Sequence, residues 1–234
     1  GNRLDIELRA PRDEVLEPQT PYERRVAEAR RRNLLPPHEV IPLFGDSFEE
    51  FDIDSGAPSP KLISVRGRAS GEHEAGLVVG VIVSSTAEVP GGMFRVAIVS
   101  DPTRDMGALG PAECDRVVAA IDLAEERGLP VEWIPISAGA RISMESGTEN
   151  LDATARVVRR LVTFTQNGGM IHVVVAGVNV GAQSYWDALA TMQAHCRGAL
   201  IMTPEGSMVL TGRAALEAAG SVAAEDEVAI GGYE

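Results

Sequence analysis

Hydrophobic positions along this chain follow two different periods. Leu77–Val83 reads Leu-Val-Val-Gly-Val-Ile-Val without a polar break, and Phe94–Val99 is a second apolar run. Both are short, rich in β-branched residues and bounded by turn residues, which predicts buried strands. The period then lengthens. Between Pro111 and Arg127, the residues Cys114, Val117, Val118, Ile121 and Ala124 share one helical face, so this segment is predicted to be a helix lying on a sheet. Pro111 suits the first helical position, and Gly128 with Pro130 stops the helix. The alternation then repeats. Strand Val131–Ile136 is followed by helix Leu151–Thr165, capped by Asn150 and stopped by Asn167-Gly168-Gly169. Strand Ile171–Ala176, helix Ser184–Ala194, strand Ala199–Met202 and a short helix Arg213–Ala219 complete the series. Alternating strand and helix, with strands apolar throughout, predicts an α/β core whose strands are covered on both sides. Trp133 and Trp186 fall in a strand and a helix and are expected in that core.

The N-terminal part lacks this regularity. Residues 1–20 are polar and proline-bearing and read as an extended arm or linker. Tyr22–Leu34 reads as a charged helix whose Arg30-Arg31-Arg32 run forms a solvated face. Pro36–Lys61 is rich in Pro, Gly, Ser and acids without a sustained period, and is expected to wrap onto the core as loops and short turns. The chain is therefore divided into 1–61, an arm, helix and loops, and 62–234, the α/β core.

Composition narrows the function classes. With 234 residues, 44% hydrophobic and 24% charged, the chain can bury a sizeable core. No apolar run reaches the length of a membrane span, and the N-terminus has no apolar signal region, so a cytoplasmic protein without membrane contact is expected. Cys114 and Cys196 form no CxxC pair and are expected to be reduced, buried thiols. His38, His73, His172 and His195 have no metal-ligand spacing, so no metal is expected, and His172 reads as a core histidine. A net charge of −13 repels nucleic acid and anionic membranes. An anionic cofactor such as a CoA ester would need a local arginine cluster to override that field.

Two glycine-bearing turns carry the candidate chemistry, Ser137-Ala138-Gly139-Ala140-Arg141 and Gly177–Ala182. Each follows a buried strand and precedes helical sequence, where backbone N–H groups have no ladder or helix partner. Glycine and alanine there let a ligand approach the backbone closely. Two such N–H groups aimed at one thioester oxygen would form an oxyanion hole, in which losing one donor costs about 3–4 kcal/mol. Glycine after a strand is also common in simple tight turns, so spacing alone leaves both readings open.

The stretch Ser137-Ala-Gly-Ala-Arg-Ile-Ser-Met144 resembles the "SGGARI" or "SGARI" signature of acyl-CoA carboxylase carboxyltransferases. Ile121–Pro130 is similar to the helix preceding it in that family, and Val178–Trp186 to the second glycine turn and its helix. Met208-Val-Leu-Thr-Gly212 resembles the "(I/M)xLTG" segment, and Gly231-Gly232 the paired glycine near the end. Ser146–Asp152 looks closest to large single-chain, multidomain bacterial acyl-CoA carboxylases. The resemblance spans roughly residues 75–234 in order, while 1–74 match loosely. It implies a crotonase-like ββα spiral with a mostly irregular N-terminal extension. It also implies the acyl-CoA-binding half of a biotin-dependent carboxyltransferase. In that family carboxybiotin, carried on another domain or chain, releases CO2, and the substrate enolate attacks it. By position, Gly139, Ala140, Gly181 and Ala182 would hold the thioester oxygen. Ala138, Arg141, Asn179 and Val180 would flank the substrate, with Arg141 either lining the CoA channel or anchoring its turn.

The family pattern adds a second carboxyltransferase half, a biotin carboxyl carrier and a biotin carboxylase, in a homo-oligomer. None of these sequences occurs within the 234 residues, so the chain is expected to be inactive alone. Ala138 replaces a glycine or serine, and Asn179-Val180 replaces small residues, relative to many members. Besides another crotonase-fold acyl-CoA enzyme, three other readings stand beside this one. Ser184, Asp187 and His195 could suggest a serine hydrolase, although nothing in their spacing requires a catalytic set. Gly177-Val-Asn-Val-Gly-Ala182 lacks the GxGxxG spacing of a dinucleotide fold. A crotonase-like domain kept only for assembly is the third, against which both glycine turns argue.

Overall fold

The computed structural model describes residues 20–57, 59–141, 148–220 and 225–233. Most of the proposed arm, residues 1–19, lies outside them, as do Ile142–Gly147 of the first family motif. In chain order the elements begin with α1 (Pro21–Arg31), α2 (Pro37–Phe44), β1 (Ser47–Ile53), β2 (Leu62–Ser64), β3 (Leu77–Ser84) and β4 (Met93–Ser100). Next come α3 (Pro111–Arg127), β5 (Val131–Ile134), α4 (Glu149–Gln166), β6 (Ile171–Val175), β7 (Val178–Val180) and α5 (Ala182–Thr191). The last are β8 (Leu200–Met202), β9 (Ser207–Val209), α6 (Arg213–Ala218) and α7 (Val228–Gly231). Seven strands form one sheet in the order β2-β1-β3-β4-β5-β6-β8. Strands β2, β1, β3 and β4 pair antiparallel, and β4, β5, β6 and β8 pair parallel.

The change of pairing at β4 follows from the connections. A short loop lets β3 turn back as β4, whereas the α3 and α4 crossovers return the chain parallel. α3 begins at Pro111 and ends at Gly128, whose φ of 63° is left-handed. Glu113 is buried and fixes this start by accepting from the Gly110 N–H at 2.9 Å and the Gly76 N–H at 2.8 Å. Alternate residues of β3, β4, β5 and β6, including Val79, Ile98, Trp133 and Val173, pack against α3, α4 and α5. Val117, Ile121, Leu161 and Trp186 come from those helices. The two tryptophan rings meet at 5.9 Å. No helix among the described residues is long and apolar enough to cross a membrane.

Several expectations are corrected. Pro36–Lys61, expected as loops, contains α2 and β1, and β1 joins the main sheet beside β3. Its strand was hidden because Glu49, Glu50 and Asp52 interrupt the apolar pattern. Those acids are matched across the fold. Arg68 bridges Glu50 and Asp52, and Asp52 also accepts from Arg116 of α3 at 2.7 Å. The sheet is not covered evenly on both sides. α2 covers part of the second face with Ile41, packed against Val78, Ile82 and Ala97. Further along that face Ile201 is 53% exposed, and Glu132 and His172 are half-buried. His172 is thus no core histidine, and its Nε2 lies 3.1 Å from Met170 Sδ. Cys114 is buried, which pushes its thiol up to about 12, but Cys196 is only half-buried. Asn150 does not cap α4. Thr148 takes that place, and Asn150 sits in the first turn with its Nδ2 donating to Arg141 O at 2.6 Å.

Leu161 is fully buried between α4 and the sheet, whereas Leu151 on the same helix is 62% exposed. Leu161→Ala should lower the unfolding free energy by about 2–5 kcal/mol. Leu151→Ala should change it by less than about 0.5 kcal/mol. Urea midpoints at constant slope check the pair.

Candidate active site

The parallel strands β5 and β6 end side by side, and the two glycine turns leave from those ends. This is where α/β sheets present ligand sites. Here the turns are also bonded to each other. Ser137 N–H donates to Val178 O at 3.0 Å, and Val180 N–H donates to Ser137 O at 3.0 Å. On one side, β7 pairs parallel with β9. On the other, Leu109 bridges Ala140, giving Leu109 N–H to Gly139 O at 2.8 Å and Arg141 N–H to Leu109 O at 2.7 Å. A second ladder of short parallel bridges therefore crosses the site. Gly177–Ala182, expected as a turn, contains the three-residue strand β7.

The ladder decides which N–H groups remain available. Ala138 N–H donates to Met106 O at 2.9 Å, and Gly139 N–H to Ser137 Oγ at 3.0 Å. In the second turn, Gly181 N–H donates to Val209 O at 2.8 Å. Of the six N–H groups of Ala138, Gly139, Ala140, Val180, Gly181 and Ala182, two are left without an acceptor among the described residues. Ala140 N–H points away from the Leu109 bridge, because a parallel bridge uses the groups flanking its residue. Ala182 N–H opens α5 at a helix start with no side-chain cap. The backbone of both turns needs glycine. Gly139 has φ 94°, and a Cβ there would meet Val180 O at 3.2 Å. Gly181 has φ 59° and ψ −117°, a combination closed to residues with a side chain.

Both free N–H groups belong to residues lining one cleft of about 650 Å³. Ala138, Gly139, Ala140, Val180, Gly181 and Ala182 form its floor. Walls come from Leu151, Thr154, Ala155 and Val158 of α4, Tyr185, Trp186 and Leu189 of α5, and the Leu210–Gly212 segment. Leu151, Tyr185, Trp186 and Leu210–Gly212 fall within the family-like stretches without being assigned to a site there, and Thr154, Ala155, Val158 and Leu189 fall outside them. Their helical spacing looks like an ordinary core face, and only the exposure of Leu151, Tyr185 and Leu210 sets them apart. Arg141 and Asn179 are not among the lining residues. The Arg141 guanidinium is paired with Asp105 at 3.3 Å on the exposed side of the first turn. Asn179 is fully buried and lies beneath the second turn, not against a ligand position.

Beneath that turn is a buried polar cluster. Asp187 is fully buried; its Oδ1 accepts from Gln183 Nε2 and its Oδ2 from Asn179 Nδ2, each at 2.8 Å. Burial pushes its carboxyl up to about 7, against the lowering pull of those two amides. Ser184 Oγ donates to Asn179 O at 2.8 Å and Val209 O at 3.0 Å, so it staples α5 to β7 and β9. His195 instead lies 3.1 Å from Thr165 Oγ1. The residues considered for a serine hydrolase thus make separate structural contacts.

Comparison with known proteins identifies the family and the fold. Residues 51–233 match the carboxyl transferase domain family. The chain is 34% identical over 121 residues to the propionyl-CoA carboxylase beta chain of Rhodococcus erythropolis, covering 52% of this chain and 23% of that protein. It is 30% identical over 130 residues to the biotin-dependent acetyl-/propionyl-coenzyme A carboxylase beta6 subunit of Mycobacterium tuberculosis, covering 56% and 25%. The chain spans about a quarter of either relative's length. The crystal structure of transcarboxylase 12S with hydrolysed methylmalonyl-coenzyme A superposes with a TM-score of 0.67 at 21% identity, covering 90% of this chain and 37% of that one. The fold is thus the crotonase-like α/β fold that the motifs implied.

Asp187 makes stability depend on pH. Its folded pKa lies above the ordinary carboxylate value, so its contribution is complete below about pH 4 and is lost as pH rises through about 7. The loss approaches about 1.4 kcal/mol per pH unit between those limits. Asp187→Asn should remove that slope and gain on the parent chain as pH rises. Urea unfolding of both chains at pH 5 and pH 8 checks this, and an unchanged difference between them would mean that Asp187 does not titrate there.

Proposed function

The chain belongs to the carboxyl transferase domain family, and from that membership we propose that it is the acyl-CoA-binding half of a biotin-dependent carboxyltransferase. The observation carrying this reading is the pair of unengaged N–H groups, Ala140 and Ala182, on two mutually bonded turns that open onto one apolar cleft. The acyl group lies against the α4–α5 wall, and the thioester oxygen lies between the two donors. Removing the α-proton places negative charge on that oxygen. Donors already fixed by the fold stabilise the enolate more than the neutral thioester, which lowers the barrier. The cleft is lined by apolar and hydroxyl side chains, with no carboxylate, histidine or lysine among the described residues. Its residues fit a thioester and leave the proton acceptor to the other reactant. Carboxybiotin, carried on another domain or chain, supplies both the carboxyl group and the base.

On this reading the cytoplasmic enzyme is a homo-oligomer. A second carboxyltransferase half completes the site, and biotin carboxyl carrier and biotin carboxylase components serve it. The chain alone binds acyl-CoA but does not turn it over. An assembly domain without catalytic use is the competing reading, and calorimetry separates the two. The folded chain should bind an acyl-CoA, and undetectable binding would favour assembly.

Ala182→Pro tests the donor itself. Proline is tolerated at the first helical position and removes only an N–H that no helix bond uses. In the completed carboxyltransferase, kcat should fall roughly 100- to 1000-fold, with a melting temperature close to that of the parent. Full turnover would overturn the oxyanion assignment.

A further inference from the structure

The second turn raises a question that its glycine does not answer. Gly181 adopts φ 59° and ψ −117°, a conformation that glycine permits but does not enforce. Something must hold it, because Ala182 N–H serves only if it is aimed. The ladder fixes the near side through Gly181 N–H to Val209 O at 2.8 Å. On the far side the chain enters α5, whose start has no side-chain cap. The groups tying α5 back to β7 are side chains, and all are buried. Asn179 belongs to β7 and Gln183 to the first turn of α5, so the two flank the Val180–Ala182 segment. Asp187 touches both at once.

We propose that Asp187 is the positioning residue of the second turn. Resting on the reading of Ala182 as an oxyanion donor, its carboxyl clamps Asn179 and Gln183 together and thereby aims Ala182 N–H into the cleft. Three observations carry this. The carboxyl is completely buried, has no arginine, lysine or histidine partner among the described residues, and spends both oxygens on the residues that flank the turn. An unpaired carboxyl at such depth is unfavourable for folding, so stability alone does not account for it. The clamp also lies outside the cleft, so it touches no substrate. Burial pushes this carboxyl up, toward the neutral form, which places no full charge under a developing enolate.

The geometry further distinguishes two replacements. Asn179 Oδ1 is buried without a hydrogen-bond partner. In Asp187→Asn the new amide can donate to that oxygen once Asn179 turns over, and its own oxygen still accepts from Gln183. Both links survive. Asp187→Leu keeps the volume and removes both links. Gln183→Met keeps the volume and removes one.

Two CoA thioethers read the effect in the chain itself. One bears a nitronate that mimics the enolate, and the other is a plain alkyl thioether with no oxygen to hold. The parent chain should prefer the nitronate. Asp187→Leu should lose that preference about 10- to 100-fold while binding the alkyl thioether within about two-fold of the parent. Asp187→Asn should retain the preference, and Gln183→Met should lose part of it. If Asp187→Leu does not fold, Gln183→Met decides. A folded Asp187→Leu or Gln183→Met chain with the full preference would overturn the clamp and leave the oxyanion reading standing. A parent chain with no preference would instead overturn the oxyanion reading, and the clamp with it.

Discussion

A short ladder of backbone bridges holds the site together. Leu109 bonds around Ala140, Ser137 bonds around Asn179, and β7 bonds along β9. These bonds do two things. They lock two turns from distant parts of the chain into one rigid unit, and among the six turn residues that line the cleft they leave the Ala140 and Ala182 N–H groups without an acceptor among the described residues. Buried backbone groups must be paired, whereas Ala140 and Ala182 are half-buried beside the cleft and their N–H groups stay open to an acceptor there. The rest of the molecule supports this unit. The seven-stranded sheet delivers both turns at neighbouring strand ends, and α4 and α5 close the cleft with side chains that are apolar but incompletely buried.

Rigidity is drawn from beyond the ladder as well. Met106 supplies the acceptor for Ala138 and has a left-handed φ of 54°, as does Asp105 with φ 45°. Such conformations cost energy in residues with side chains and persist only where the surroundings impose them. Here the surroundings include Gly107, where a Cβ would meet Ile136 O at 2.0 Å. On the other turn, the buried Asp187 cluster is a comparable expense. Both turns are thus held by features that stability alone would not favour, and an oxyanion hole requires that kind of preorganisation.

The polar residues that first suggested other chemistry have different work. Ser184 staples a helix to two strands, His195 meets Thr165, and the Arg141 side chain pairs with Asp105. None of them lines the cleft. Among the described residues the cleft is lined by backbone with apolar and hydroxyl side chains.

Much of this protein could be read from its residues. α3 runs from Pro111 to Arg127 as its apolar period, proline start and glycine stop specify, and β3 and β6 follow their apolar runs closely. Local chemistry was sufficient there. The two turns were legible for the same reason, since glycine at Gly139 and Gly181 answers to backbone angles that only glycine tolerates. Elements stabilised by distant partners were not legible. β1 carries acids whose arginine partners, Arg68 and Arg116, lie far along the chain, and β7 and β9 are three-residue strands that exist only because they pair. The same limit governs the site. Which N–H is free depends on where Met106 O, Leu109 O and Val209 O come to rest. No local pattern encodes those positions, and the folded chain selects Ala140 and Ala182.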